Sequence, residues 1–205
     1  MTEKIKTAIT HYLQAFANLY GIIPVKEAQR ILNKYENKNY SIQAFLQETP
    51  TIDPDVYGFV LMDACVVSQN VLFIDEDYYG ELRAAQNGKS YARLQKEELL
   101  KYRDPDYLPK TPQLRRMKAF LTDALALPNA QANKLAEDIA YMCAAEMPPE
   151  QIFPLLEAQG IVFGDFQICQ QFLNSYADLA NHTRLWSNCG HAPMELRGAI
   201  RQQSQ

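Results

Sequence analysis

The residues best suited to chemistry lie in one stretch near the carboxyl end of the chain, residues 181–196. This stretch contains His182, Cys189 and His191, residue types that bind zinc or form a thiol nucleophile with its base. A structural zinc site takes four ligands, and the closely paired ligands usual at both ends of a zinc module are missing. Side chains two positions apart also seldom meet in the geometry that a catalytic pair needs. We therefore predict neither a metal nor a catalytic site here.

The same stretch has a purely structural interpretation. Gly190 permits a left-handed turn after a helix, and Trp186, the single tryptophan of the chain, would pack back onto a helical bundle. Cys189 would then be a buried, inert thiol. We prefer this interpretation, and a thiol or metal enzyme built on Cys189, His182 and His191 stays the weaker alternative.

A second set of candidate residues lies between positions 34 and 47. Its members are polar or basic side chains, namely Lys34, Lys38, Asn39, Tyr40, Gln43 and Gln47. Asn and Gln can read adenine edges, and Lys can bind phosphate. Residues 1–50 carry six basic and four acidic side chains, a balance that permits nucleic-acid binding without demanding it. The open alternative is a solvated face of a unit that docks protein.

Three amphipathic helices and a hairpin must position this second set. Apolar residues spaced by three and four predict a helix over 3–20, and a second helix follows Pro24. Ser41 offers an N-cap to a third, short helix. Residues 56–68 are rich in β-branched and aromatic types with a polar break at Asp63, which predicts two short strands. Helix, helix, helix, hairpin is the order typical of a winged helix, a fold that mostly binds nucleic acid or protein.

The rest of the chain is predicted to be helical. Short turns separate helical patterns over 114–125, 130–145, 149–158 and 165 to about 186, which is typical of a bundle of antiparallel neighbours. The predicted fold class is mostly α with a small β hairpin. It divides into a winged-helix domain at 1–73, a helical connector at 74–110, and a helical bundle with an ordered tail at 111–205.

Composition narrows the function. The net charge of −4 argues against a general, salt-driven nucleic-acid binder. The hairpin region is acidic and has no Lys or Arg from 53 to 81, where the acidic residues are Asp53, Asp55, Asp63, Asp75, Glu76, Asp77 and Glu81. Four widely spaced cysteines, the absence of a targeting segment, and the absence of an apolar run of roughly 18 to 20 residues predict a cytoplasmic protein with no membrane contact. We expect no cofactor.

Three segments carry a resemblance to known sequences: residues 20–25, residues 96–102 with the Pro- and Thr-containing turn after them, and residues 180–196. Together they resemble a group of uncharacterised proteins from Gram-positive bacteria, and the likeness covers nearly the whole chain. Members of that group often continue into a zinc motif of the SEC-C type, whose Cys-x-Cys pattern is absent here. The resemblance implies that a polar tail motif, formed by Asn181, Arg184, Trp186 and His191, serves one purpose, either an internal lock on the bundle or a docking point.

The sequence thus predicts a non-enzymatic binding protein, with nucleic acid contacted through the third helix. The alternative is a protein-docking adaptor or a homodimer, in which the winged helix and the bundle are both protein surfaces.

Overall fold

The computed structural model describes residues 1–49 and 52–197. This part of the chain is mostly α-helical, with one small antiparallel sheet, as the sequence predicted. None of the described helices combines the length and the apolar composition that crossing a membrane requires. The chain forms two compact units. We call them the N-terminal unit, Met1–Tyr107 with Trp186–Gly190, and the bundle unit, Leu108–Leu185 with the described residues from 191 onward.

The N-terminal unit contains all of the described strands. Its elements are, in chain order, α1 (Glu3–Tyr20), β1 (Ile22–Pro24), α2 (Val25–Glu36), α3 (Ile42–Glu48), α4 (Pro54–Tyr57), β2 (Phe59–Met62), β3 (Cys65–Ser68), α5 (Gln69–Ile74), α6 (Tyr78–Gln86), α7 (Lys96–Leu99) and a 3₁₀ helix (Leu100–Arg103). The three predicted helices and the hairpin are present. Sequence reasoning missed β1, because three residues are too few to show an alternating pattern.

Helix α1 forms because its apolar residues recur on one side. Ile9, Leu13 and Phe16 are fully buried, and Tyr20 ends the helix inside the core. Gly21 follows with a φ of 70°, and its N–H donates to the Ala17 carbonyl oxygen at 2.9 Å. This left-handed glycine stops the helix and lets the chain enter β1 directly.

The sheet has the order β1-β3-β2, with antiparallel pairing throughout. Asp63 and Ala64 join β2 to β3 in a two-residue hairpin turn. Both have positive φ, as the tight turns that match the twist of a hairpin require. One face of the sheet packs on the helical core through Ile23, Phe59 and Val66. The opposite face is covered by α5 and α6, in a second cluster of Ile22, Cys65, Val67, Val71 and Leu82.

The bundle unit is built from four long helices, α8 (Pro112–Asp123), α9 (Asn129–Ala144), α10 (Pro149–Ala158) and α11 (Phe166–His182). Phe172 of α11 is fully buried, and its ring lies 5.0 Å from that of Phe163 and 5.8 Å from that of Phe153. Helix α11 was predicted to reach about residue 186, but it ends at His182, and the Thr183 hydroxyl bonds back to the Leu179 carbonyl oxygen at 2.9 Å.

The division into units differs from the predicted domains in two places. Of the predicted connector 74–110, residues 74–107 lie in the N-terminal unit, because Ala92, Leu99 and Tyr102 are buried in its core. The segment Trp186–Gly190, predicted as part of the bundle's tail, also lies in the N-terminal unit. Both assignments depend on contacts between residues far apart in the sequence, which periodicity does not reveal.

Candidate functional site

The turn between α2 and α3 is held by side chains that bond to its backbone. The Asn33 amide group spans Tyr40, accepting from its N–H at 2.7 Å and donating to its carbonyl oxygen at 3.0 Å. Gln29 accepts from the Ile42 N–H at 2.9 Å, and the Ser41 hydroxyl caps α3 by accepting from the Ala44 N–H at 3.1 Å. These bonds fix the start of α3 relative to α2.

Helix α3 turns a polar side outward. Ile42 and Phe45 are buried in the core, so Gln43 and Gln47, one helical turn apart, are exposed. Lys34, Lys38 and Asn39 are also exposed at the end of α2 and in the turn, so we define the α3 face as Lys34, Lys38, Asn39, Gln43 and Gln47. Tyr40 differs from these five, because its half-buried ring packs against the core.

Two acidic groups near the α3 face, Glu36 and Glu48, are paired with cations. Glu36 accepts from the Tyr12 hydroxyl at 2.6 Å and lies 2.6 Å from the Lys96 ammonium nitrogen. Burial raises the pKa of Glu36, but the hydrogen bonds from Lys96 and Tyr12 outweigh it, so the pKa lies below its ordinary value. The carboxylate is therefore ionised at neutral pH, and a cation faces it.

Glu48, at the other end of α3, is paired in the same way. Its carboxylate lies 2.7 Å from the Met1 amino group and 3.3 Å from the Lys6 ammonium nitrogen. Neither Lys34 nor Lys38 forms an ion pair within the described part of the chain, although Lys38 is close enough to Glu36 to help lower the pKa of that carboxyl. The α3 face therefore carries a small local excess of positive charge on a unit that is acidic elsewhere.

The hairpin turn adds no cation to this face. Asp63 is exposed at the tip, 3.3 Å from the Arg83 guanidinium and 3.2 Å from the Tyr79 hydroxyl. Arg83 also lies over the Tyr79 ring, 5.7 Å from its centre. Arg83 is thus engaged, and its pairing with Asp63 leaves little net charge at the tip to attract phosphate.

Trp186 of the polar tail motif packs inside the N-terminal unit. Its indole N–H donates to the Asn18 carbonyl oxygen at 2.9 Å. A Cβ atom added to Gly21 would come within 2.8 Å of the indole ring, so only glycine allows this approach. The interpretation that placed Trp186 on the bundle is therefore wrong, because its partners come from α1 and the turn after it.

Gln86, at the end of α6, joins this segment to α1. Its buried side-chain amide donates to the Tyr20 carbonyl oxygen at 2.6 Å and to the Trp186 carbonyl oxygen at 2.8 Å. Lys89 donates to the Ser187 carbonyl oxygen at 2.9 Å. We call Trp186–Gly190 the inserted segment, since these bonds hold it as part of the N-terminal unit.

Cys189 lies at the buried end of the inserted segment. Burial raises the pKa of its thiol to about 11, so almost none of it is thiolate at neutral pH. Its carbonyl oxygen accepts from the Ala92 N–H at 2.9 Å, and Gly190 has a φ of 79°. Among the described residues no group of three or more His, Cys, Asp or Glu side chains could hold a metal ion. The environment of Cys189 supports the structural interpretation.

The other members of the tail motif lie in the bundle unit. Arg184 makes a two-point contact with the Glu195 carboxylate, at 3.0 and 2.7 Å. The Ala192 N–H donates to the same carboxylate at 3.2 Å, and His191 Nδ1 lies 3.4 Å from it. Asn181 is half-buried near the end of α11. Trp186 therefore belongs to the N-terminal unit, and Arg184 and His191 belong to the bundle unit.

One exposed surface was missed by sequence reasoning. Helix α5 exposes Leu72, Phe73 and Ile74, and three exposed carboxylates follow at once in Asp75, Glu76 and Asp77. The residues before α5 were assigned to the hairpin and those after it to the connector. The sequence did contain a signal for this surface, namely consecutive apolar residues followed directly by consecutive acids. Neither helix nor strand periodicity explains such a run.

The comparisons with known proteins give no match. No family model matches the sequence, and neither a curated protein nor a solved structure matches it. The resemblance to proteins of Gram-positive bacteria therefore stays a prediction, and functional conclusions depend on the surfaces described above.

Proposed function

We propose that this chain is a non-enzymatic binding protein whose N-terminal unit is a winged helix that contacts nucleic acid through the α3 face. The order α1-β1-α2-α3-α4-β2-β3, in which α4 is a single turn and β1 and β2 lie on either side of β3, supports the winged-helix assignment. In helix-turn-helix proteins the helix equivalent to α3 enters the major groove.

The observation that carries the proposal is the pairing of charges around α3. Glu36 and Glu48 are neutralised by neighbouring cations, whereas Lys34 and Lys38 stay exposed beside Gln43 and Gln47. The lysines at the end of α2 and in the turn before α3 would contact phosphates, and the glutamines one turn apart on α3 would face base edges. Because the hairpin turn is short and Arg83 beside it is engaged by Asp63, we place the contact on the α3 face alone. We expect modest affinity with strong salt dependence.

The state of the four cysteines supports the cytoplasmic location predicted from the sequence. All are free thiols, and three of them are buried. Free thiols are usual in a reducing compartment, so we propose that the protein acts in the cytoplasm.

Binding of a labelled duplex tests the proposal. We expect the protein to bind a random-sequence pool of about 30 base pairs, near three helical turns, in fluorescence anisotropy at low salt. Changing Lys34 and Lys38 together to Ala removes two phosphate contacts. The slope of log affinity against log salt should then fall by about 2, with roughly tenfold weaker binding at low salt.

The matched control changes Lys110 and Lys118 to Ala, since these two lysines lie in the bundle unit and carry the same total charge. This variant should bind like the unmodified protein. An absence of binding at low salt, or an equal loss in the control variant, would contradict the proposal.

A further inference from the structure

Helix α5 exposes three consecutive large apolar side chains. Of its six residues, Val71 is fully buried, whereas Leu72, Phe73 and Ile74 are 41 %, 73 % and 55 % exposed. Single exposed apolar residues are ordinary, but a contiguous group marks an interaction site. We define the α5 patch as Leu72, Phe73 and Ile74 with the three acidic residues that follow them.

The acidic part of the α5 patch is not neutralised. Asp75, Glu76 and Asp77 are exposed, and within the described part of the chain none of them forms an ion pair. No Lys or Arg occurs from 53 to 81, and Arg83 is engaged by Asp63 and Tyr79. The patch therefore combines apolar side chains with three carboxylates that no described Lys or Arg pairs with, of which Asp75 also accepts from the Asp77 N–H at 3.0 Å.

Packing and hydrogen bonds hold α5 in place on the N-terminal unit. Val71 anchors α5 in the cluster that contains Val67 and Leu82. The Gln69 N–H donates to the Gly58 carbonyl oxygen at 3.1 Å, and its side-chain amide donates to Asp55 at 2.8 Å. A partner would meet a preformed surface, so binding would cost little conformational entropy.

We propose that the α5 patch docks a basic amphipathic segment of a partner protein. The apolar side of that segment would cover Leu72, Phe73 and Ile74, and its Lys or Arg side chains would face Asp75, Glu76 and Asp77. Charge complementarity selects this occupant, because nucleic acid or an anionic membrane would be repelled by the same carboxylates. A second copy of this chain would bring the same three acids and no cation of the patch, so a two-fold interface here would gain no charge pairing.

Synthetic helical peptides are suitable probes. We would label three peptides of about five turns each: an amphipathic Leu/Lys peptide, an amphipathic Leu/Glu peptide, and an Ala/Lys peptide with the same charge as the first. In fluorescence anisotropy the Leu/Lys peptide should bind at least tenfold more tightly than either of the others. Equal binding of the Leu/Glu peptide, or of the Ala/Lys peptide, would overturn the proposal.

Variants locate the binding. Phe73→Gln should weaken binding of the Leu/Lys peptide about tenfold, because it removes the most exposed apolar side chain of the patch. Changing Asp75, Glu76 and Asp77 to Asn, Gln and Asn should weaken it by a similar factor at low salt and abolish its salt dependence. The matched control is Phe166→Gln, an 81 % exposed phenylalanine in the bundle unit, which should leave binding unchanged.

Two results would count against the α5 patch. Unchanged binding by Phe73→Gln would place the peptide elsewhere. Sedimentation that shows a dimer of the unmodified protein, lost in Phe73→Gln, would make a second copy the occupant instead.

Discussion

The inserted segment and the α3 face both contain candidate functional residues predicted from the sequence, yet they differ in whether those side chains are packed inside the protein or exposed to solvent. In the inserted segment, Trp186 donates to Asn18, and the backbone of the segment is bound by Gln86 and Lys89. On the α3 face, Lys34, Lys38, Gln43 and Gln47 are exposed. The contrast teaches that the rare tryptophan here builds the fold, whereas the common lysines and glutamines remain available for a partner.

Burial explains this difference. A tryptophan supplies a large apolar surface and one donor, which suits a position where an indole fills a gap against glycine. Lysine and glutamine lose side-chain entropy when they are ordered, so they stay in solvent unless a partner compensates. The inserted segment is accordingly expected to control stability, and the α3 face is expected to control binding.

The largest effect should come from Trp186→Ala. It removes an indole that packs against Gly21 and Leu82, and we expect the free energy of unfolding to fall by about 3 kcal/mol. The shift is measured as the urea midpoint followed by far-ultraviolet circular dichroism.

Two control variants separate packing from hydrogen bonding at this position. Trp186→Phe keeps much of the ring contact but loses the donor to Asn18, so we expect a loss of about 1 kcal/mol. Phe166→Ala, at an exposed aromatic in the bundle unit, should change stability by less than about 0.5 kcal/mol. A Trp186→Ala protein as stable as the original would remove the distinction between the two regions.

Local pattern was enough to predict α1, α2, α3 and the hairpin, but not the short helices α4 and α5. Spacing of apolar residues gave α1 over Glu3–Tyr20, and the polar break at Asp63 located the hairpin turn. The exposure of Gln43 and Gln47 also followed from local pattern, because their helical neighbours Ile42 and Phe45 must face the core. These features depend on residues close together in the chain.

Features that depend on distant residues could not be predicted in this way. Trp186 is 168 positions from its acceptor Asn18, and Gln86 is 100 positions from Trp186, so no local pattern reports either contact. The ion pair between Glu36 and Lys96 also joins residues that are far apart in the sequence. The charge balance of the α3 face therefore became visible only in three dimensions.

A middle-sized effect should come from Gln86→Leu. Leucine fills a similar volume but leaves the Tyr20 and Trp186 carbonyl oxygens without this donor, so we expect a loss of about 2 kcal/mol. Asn87→Ala is the matched control, since Asn87 is the exposed neighbour of a buried amide. Thermal unfolding of the two variants checks the prediction, and equal melting temperatures would show that the bridge contributes little.

The smallest effect on stability, and the sharpest separation of the two regions, should come from changing Gln43 and Gln47 together to Ala. Both side chains are exposed, and Ala is at least as good a helix former as Gln, so unfolding should change by less than about 0.5 kcal/mol. Duplex binding should nevertheless lose its preference among sequences in a selection from a random pool, because only base contacts carry that preference. A stability loss above about 1 kcal/mol would instead mean that the outward side of α3 is covered within the folded protein, and the α3 face would then belong with the inserted segment as a structural element.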